Sequence, residues 1–115
     1  VMFYAGGQMS ELGRSPTRMA EILGTGLPVV ANDGVGDVER IIEKYRVGVL
    51  VAGPAPGQMA SALAALDALM ADPDLPIRCR MAAEEVFSLK AGTEAYAALY
   101  ASVLGQSQKA ATCAA

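Results

Sequence analysis

The sequence predicts an α/β fold built on a short parallel sheet with helices packed against it. Short apolar runs recur along the chain at Val1–Ala5, Pro28–Ala31 and Arg46–Val51. They show no polar alternation, as expected of strands buried on both faces. Between them lie segments with apolar residues at helical spacing, and strands that alternate with helices favour parallel pairing. Composition agrees. Of the 115 residues 53% are hydrophobic, which suffices for the core of one small domain, and with aromatics at 5% and no Trp that core is aliphatic.

In order, Val1–Ala5 reads as a first strand. The loop Gly6 to Gly13 follows it and would form part of a ligand crevice if the sheet is parallel. Gly6-Gly7 would admit a close backbone approach, or serve only a surface loop. Ser15 is a good N-cap, and Pro16 suits the first helical position, where its missing N–H costs nothing. Met19, Ile22 and Leu23 share one face of this helix. Gly24 and Gly26 end it, with Gly26 expected in the left-handed conformation. Strand Pro28–Ala31 leads to Asn32-Asp-Gly-Val-Gly-Asp37, and Asp37 is the expected cap of a helix to about Tyr45. Val38, Ile41, Ile42 and Tyr45 form its apolar face.

The strand Arg46–Val51 ends at the breaker Gly53-Pro-Ala-Pro-Gly57. A long helix is predicted to about Ala71, with Met59, Ala62, Leu63, Leu66, Leu69 and Met70 on its buried side. Asp72-Pro-Asp-Leu-Pro76 stops it. Asp74 is the expected cap of a helix from Leu75 to Val86, whose Arg78, Arg80, Glu84 and Glu85 read as solvated. Ser88 caps a last helix, Leu89 to Leu104, with Leu89, Thr93, Tyr96, Tyr100 and Val103 along one side. Residues 106–115 are small and polar and are predicted to be a disordered tail, leaving 1–105 as the domain. Val47 to Leu66 carries no charge, but its glycines and prolines exclude a membrane helix.

Net charge is −3 with no basic stripe, which argues against nucleic acid as a partner. There is no histidine to act as general base or metal ligand. Cys79 and Cys113 form no CxxC pair and are expected to be reduced thiols. The chemistry concentrates at the entrance of the helix after Ser15. Unpaired N–H groups and the positive dipole end suit a phosphate there. Arg14 and Arg18 flank that entrance, and Thr17 adds a hydroxyl. Glu21 lies about 9 Å further along the axis, and a carboxylate that close to a diphosphate would not bind it but could accept hydrogen bonds from hydroxyls just beyond, such as those of a ribose. The plain alternative is a helix cap with an Arg18–Glu21 surface ion pair. Asp33, at the end of a strand, is a candidate sugar contact or a solvated turn residue. Gly34-x-Gly36 alone is a weak dinucleotide signal.

Arg14-Ser-Pro-Thr-Arg-Met-Ala-Glu-Ile-Leu-Gly-Thr-Gly-Leu-Pro-Val-Val-Ala-Asn32, then Gly-Val-Gly-Asp-Val-Glu-Arg-Ile-Ile, then Val-Gly-Val-Leu-Val51, resembles the nucleotide-sugar-binding domain of GT-B glycosyltransferases of the family 4, or group 1, type. The resemblance runs from Val1 to about Leu104. It implies the C-terminal part of a GT-B fold, a partial Rossmann-like three-layer α/β/α arrangement with the remaining strands and an acceptor domain upstream. The implied activity is sugar transfer from a nucleoside-diphosphate sugar to an acceptor in polysaccharide or glycolipid synthesis, metal-independent, without a cofactor, and with retention favoured. Arg14, Ser15, Pro16, Thr17 and Arg18 would hold the diphosphate and Glu21 the ribose. The family's first glutamate, beside the transferred sugar, falls on Gly13, where a carboxylate is lacking.

The chain opens within an apolar run without an initiator Met or signal peptide, and the reading is of a fragment inactive alone. A cytoplasmic protein is expected, peripheral to the inner membrane through other regions. Exposed apolar surface on the last helix would favour self-association. The alternative is a non-catalytic α/β nucleotide-binding or scaffold module.

Overall fold

The computed structural model describes residues 1–3, 9 and 17–113, with side chains described to residue 105. Among these residues the chain is α/β, mostly helical, with a short parallel sheet. Its elements are α1 (Thr17–Gly24), β1 (Val29–Asn32), α2 (Gly36–Tyr45), β2 (Gly48–Val51), α3 (Pro56–Met70), α4 (Leu75–Phe87) and α5 (Leu89–Cys113).

The strands pair in parallel register, Val29 with Gly48 through Asn32 with Val51. The expected first strand is represented among the described residues by a parallel bridge of Met2 to Ala31, with the Met2 N–H donating to the Val30 carbonyl at 2.7 Å. Val1 and Phe3 lie outside any strand. Both named strands are offset from the sequence reading. Arg46 and Val47 fall outside β2 because the chain is still leaving α2 there.

Two helix ends explain how the short connections work. At the end of α1, the Gly26 N–H donates to the Leu23 carbonyl at 2.9 Å and the Leu27 N–H to the Ile22 carbonyl at 3.3 Å. Gly26 has φ 82°, so this is a Schellman stop on the glycine that the sequence marks. At the end of α2 the same turn occurs on Arg46, with φ 54° and ψ 50°, and the Val47 N–H donates to the Ile42 carbonyl at 3.4 Å. A left-handed conformation costs an L-residue about 1–2 kcal/mol. Arg46→Gly is therefore expected to stabilise the protein by about 0.5–1 kcal/mol, after allowing for the glycine's greater unfolded-state entropy. Urea unfolding checks this, and a midpoint that stays put or falls would contradict it.

The core sits between the sheet and helices α1, α2 and α4. Met19 and Leu23 of α1, Val29 of β1, Val38 of α2 and Cys79 of α4 are fully buried, with Leu75 and Ala82 beside them. The apolar faces expected on α1 and α2 are thus the buried ones. α4 lies chiefly on α1 and also touches α2, while α3 packs on β2.

Several sequence expectations are corrected. α2 starts at Gly36 with Val35 as its cap residue and no side-chain cap. Asp37 instead takes the Arg40 guanidinium at 2.8 Å, while Glu39 accepts the Gly34 N–H at 3.2 Å. Asp74 occupies the N-cap position of α4 as expected, but its side chain makes no cap hydrogen bond. Its own N–H donates to Asp72 at 2.9 Å, and Asp72 also receives Arg78 at 2.7 Å. Ser88 does act as expected, accepting the Ala91 N–H at 3.2 Å.

On α3 no residue is fully buried. Ala62, Leu66 and Leu69 face inward, whereas Met59, Leu63 and Met70 are exposed. α5 continues to Cys113 and packs against no other element in more than passing contact among the described residues. The radius of gyration is 19.1 Å, against about 13 Å for a compact 100-residue domain.

Candidate functional site

The sheet's carboxyl edge is where the chain brings its chemistry together. Three chain segments, at Phe3, Asn32–Asp33 and Val51–Pro54, reach this edge, and Met59 of α3 closes over it. They line a crevice of about 360 Å³. In open parallel sheets this edge is where ligands bind, because the loops there are free of strand pairing. Among the described residues that line the crevice Asp33 carries the one charged side chain, and the Asn32 amide donates to the Asp33 carbonyl at 3.2 Å.

The helix entrance singled out in the sequence is only partly described. Gly13, Arg14, Ser15 and Pro16 lie outside the described residues. Thr17 and Arg18 open α1, both exposed, and Glu21 follows one turn later, also exposed. α1 leads into β1 through the short Thr25–Pro28 turn. Met19 and Leu23, at 0% exposure, fix this helix against the core and leave Arg18 and Glu21 on the outer face.

The surface ion pair offered as the plain reading of Arg18 and Glu21 is not formed. The ion pairs among the described residues are Arg40–Asp37 and Arg78–Asp72. Glu21 is not among the residues that line the crevice, so Asp33 and Glu21 occupy separate positions.

The sequence reading missed Phe3, Asn32 and Met59 as crevice residues. Phe3 and Met59 read as core apolars, and only register shows that they overhang a strand end. On α4, Arg80, Glu84 and Glu85 are exposed as expected, while Arg78 departs from the solvated reading. Arg78 is half-buried: it bonds Asp72 and donates to the Arg46 carbonyl at 3.4 Å, while its Nε is buried without a partner among the described residues. Glu85 accepts the Tyr45 hydroxyl at 2.7 Å, tying α2 to α4.

Asp72-Pro73-Asp74 has Asp-x-Asp spacing, yet Asp72 is turned to Arg78. The Asp74 N–H, then the Arg78 guanidinium, hold the Asp72 carboxyl below its ordinary value. Burial pushes the Cys79 thiol up, as for an inert core cysteine. Among the described residues no three His, Cys, Asp or Glu side chains gather as metal ligands. No helix there is long and apolar enough to cross a membrane.

Comparison with protein-family models, with curated proteins and with solved structures returned no match.

Proposed function

We propose that this chain is the donor-binding part of a GT-B glycosyltransferase, moving a sugar from a nucleoside-diphosphate sugar to an acceptor. The observation that carries the reading is the exposed set Thr17, Arg18 and Glu21 on the helix that leads through a short turn into a parallel sheet. In this reading α1 stabilises the departing diphosphate. Its N-terminal N–H groups, the Thr17 hydroxyl and the Arg18 guanidinium face the charge that develops as the sugar leaves. Arg14, Ser15 and Pro16 complete the phosphate site by their place in the sequence. Glu21 accepts the ribose hydroxyls one turn further on. Metal-independent transfer follows from guanidinium groups neutralising the diphosphate.

The enzyme belongs in the cytoplasm, where its donor is made, and joins an acceptor-binding domain in the GT-B arrangement with a three-layer donor domain. The sugar beside Gly13 meets no carboxylate there, so any group acting on the acceptor lies in that other domain. The chain alone binds nucleotide and transfers nothing.

Calorimetric titration of this chain with UDP, GDP and ADP tests the reading. One nucleotide is expected to bind, and Glu21→Ala to weaken it about tenfold, the worth of hydrogen bonds to a charged acceptor. A folded chain that binds none of the three, or binds one equally well after Glu21→Ala, would overturn it.

A further inference from the structure

Among the described residues β2 is an outer strand of the sheet, with one edge open. The Val29 N–H donates to the Val47 carbonyl at 3.0 Å, and Val29 stands in register with Gly48. In a parallel ladder the backbone groups of successive residues turn to opposite sides. Val47, Val49 and Val51 therefore face β1, while the N–H and C=O groups of Gly48 and Leu50 turn outward. Proteins blunt such an edge with charge, proline or a bulge. From Val47 to Gly53 there is neither charge nor proline, and the register of β2 runs without a bulge.

α3 flanks that edge. Two crevices of about 310 and 350 Å³ lie between strand and helix, and Val49, Leu50 and Ala65 line both. α3 has one charged residue in its 15, Asp67, and no buried residue. A helix that is apolar on every side is ordinarily covered on every side. Here Met59, Leu63 and Met70 are exposed, and among the described residues α3 packs only on β2 in more than passing contact.

We propose that a second copy of this chain covers this face, the two β2 strands pairing antiparallel across a two-fold axis at Val49. In that register Gly48 of each copy exchanges both its backbone bonds with Leu50 of the other, so every outward group of β2 is satisfied. No other antiparallel register confined to β2 pairs both residues. Each Leu50 side chain then lies over a glycine, which leaves it room. Val47 to Leu66 carries no charge, so identical faces meet without repulsion and a charged partner finds nothing to pair with. Strand pairing alone falls short of the roughly 800 Å² per partner of a stable interface. α3 supplies the remainder as the two copies of this helix come alongside. The pairing is independent of nucleotide binding.

Sedimentation equilibrium of this chain tests it, with a mass approaching twice that of the monomer expected as concentration rises. Ala65 is exposed, so Ala65→Glu leaves the fold intact while setting an unpaired carboxylate in the interface. It is expected to weaken the dimer about a hundredfold. Directly opposed residues at the axis have Cα atoms about 4.5 Å apart, within disulfide reach. Val49→Cys, in a Cys113→Ser background, is therefore expected to give a covalent dimer on oxidation. Tyr96→Glu, on the exposed face of α5, is expected to leave the dimer unchanged. A monomer at every concentration overturns the inference, as does a dimer that survives Ala65→Glu. A dimer dispersed by Tyr96→Glu places the contact on α5 and overturns it too. Failure of Val49→Cys to cross-link in a chain that does dimerise removes the strand pairing.

Discussion

Gly48→Ala is expected to lower the thermal midpoint by about 12–20 °C, the equivalent of about 3 kcal/mol in a domain of this size. Gly48 pairs with Val29 at the start of both strands. A Cβ built on Gly48 would collide with the Val29 carbonyl oxygen and sit 3.0 Å from its carbonyl carbon and 3.2 Å from its nitrogen. All three atoms are backbone, so no side chain can swing aside. Relief requires the strands to separate, and that threatens the Val29 N–H bond to the Val47 carbonyl. Gly24→Ala is the matched control. Apart from the helix's own backbone and the chain neighbours, no described atom lies within 4 Å of its Cβ position, and alanine favours helix, so that change is expected to stabilise slightly. Equal midpoints for Gly48→Ala and the parent would refute the close approach.

The second large effect is expected from Leu23→Ala. Leu23 is fully buried where α1 meets α4 and the sheet. Truncating such a leucine costs about 3–5 kcal/mol, combining lost transfer energy with the cavity left behind. Against a total stability of about 5–15 kcal/mol, this unfolds a large fraction of molecules on warming. The change also acts at a distance. α1 carries Thr17, Arg18 and Glu21 on the face opposite Leu23, so a helix that rocks in an enlarged pocket misplaces all three. Nucleotide affinity is expected to drop at temperatures where the chain remains folded. Unfolding measured by circular dichroism alongside the nucleotide titration checks both halves. A loss of stability without loss of affinity would show that α1 keeps its position without Leu23.

How much was legible in the sequence differs from element to element for physical reasons. α1 and α2 have narrow apolar faces between polar ones, so Met19, Leu23, Val38, Ile41 and Ile42 could be assigned inward by spacing alone. Gly26 could be read as a stop because few other residues tolerate its φ. Arg46 could not, since it takes the same conformation against its own preference. α3 is apolar on nearly every side, so periodicity could not choose between Leu66 and Leu63; its contact with β2 decides that. The cap at Asp37 failed because the helix starts one residue earlier, at Gly36, and its carboxylate pairs with Arg40. The crevice was hidden for another reason. Phe3, Asp33 and Met59 are distant in sequence and meet only through the parallel register of the strands. Arg18 and Glu21, by contrast, share one helix, where spacing suffices.

α5 has a consequence for how the molecule loses structure. Its 25 residues make a rod about 37 Å long that, among the described residues, makes no more than passing contact with the other elements. Leu89, Tyr96, Leu99, Tyr100, Val103 and Leu104 are all more than half exposed, and the Tyr96 and Tyr100 rings stack on each other, with centroids 6.5 Å apart. Tertiary packing supplies most of a helix's stability, and this one has little. The chain therefore contains two melting units of unequal depth. Amide protons in α5 exchange with solvent through local fraying, while those of β1 and α2 wait for the whole core to open.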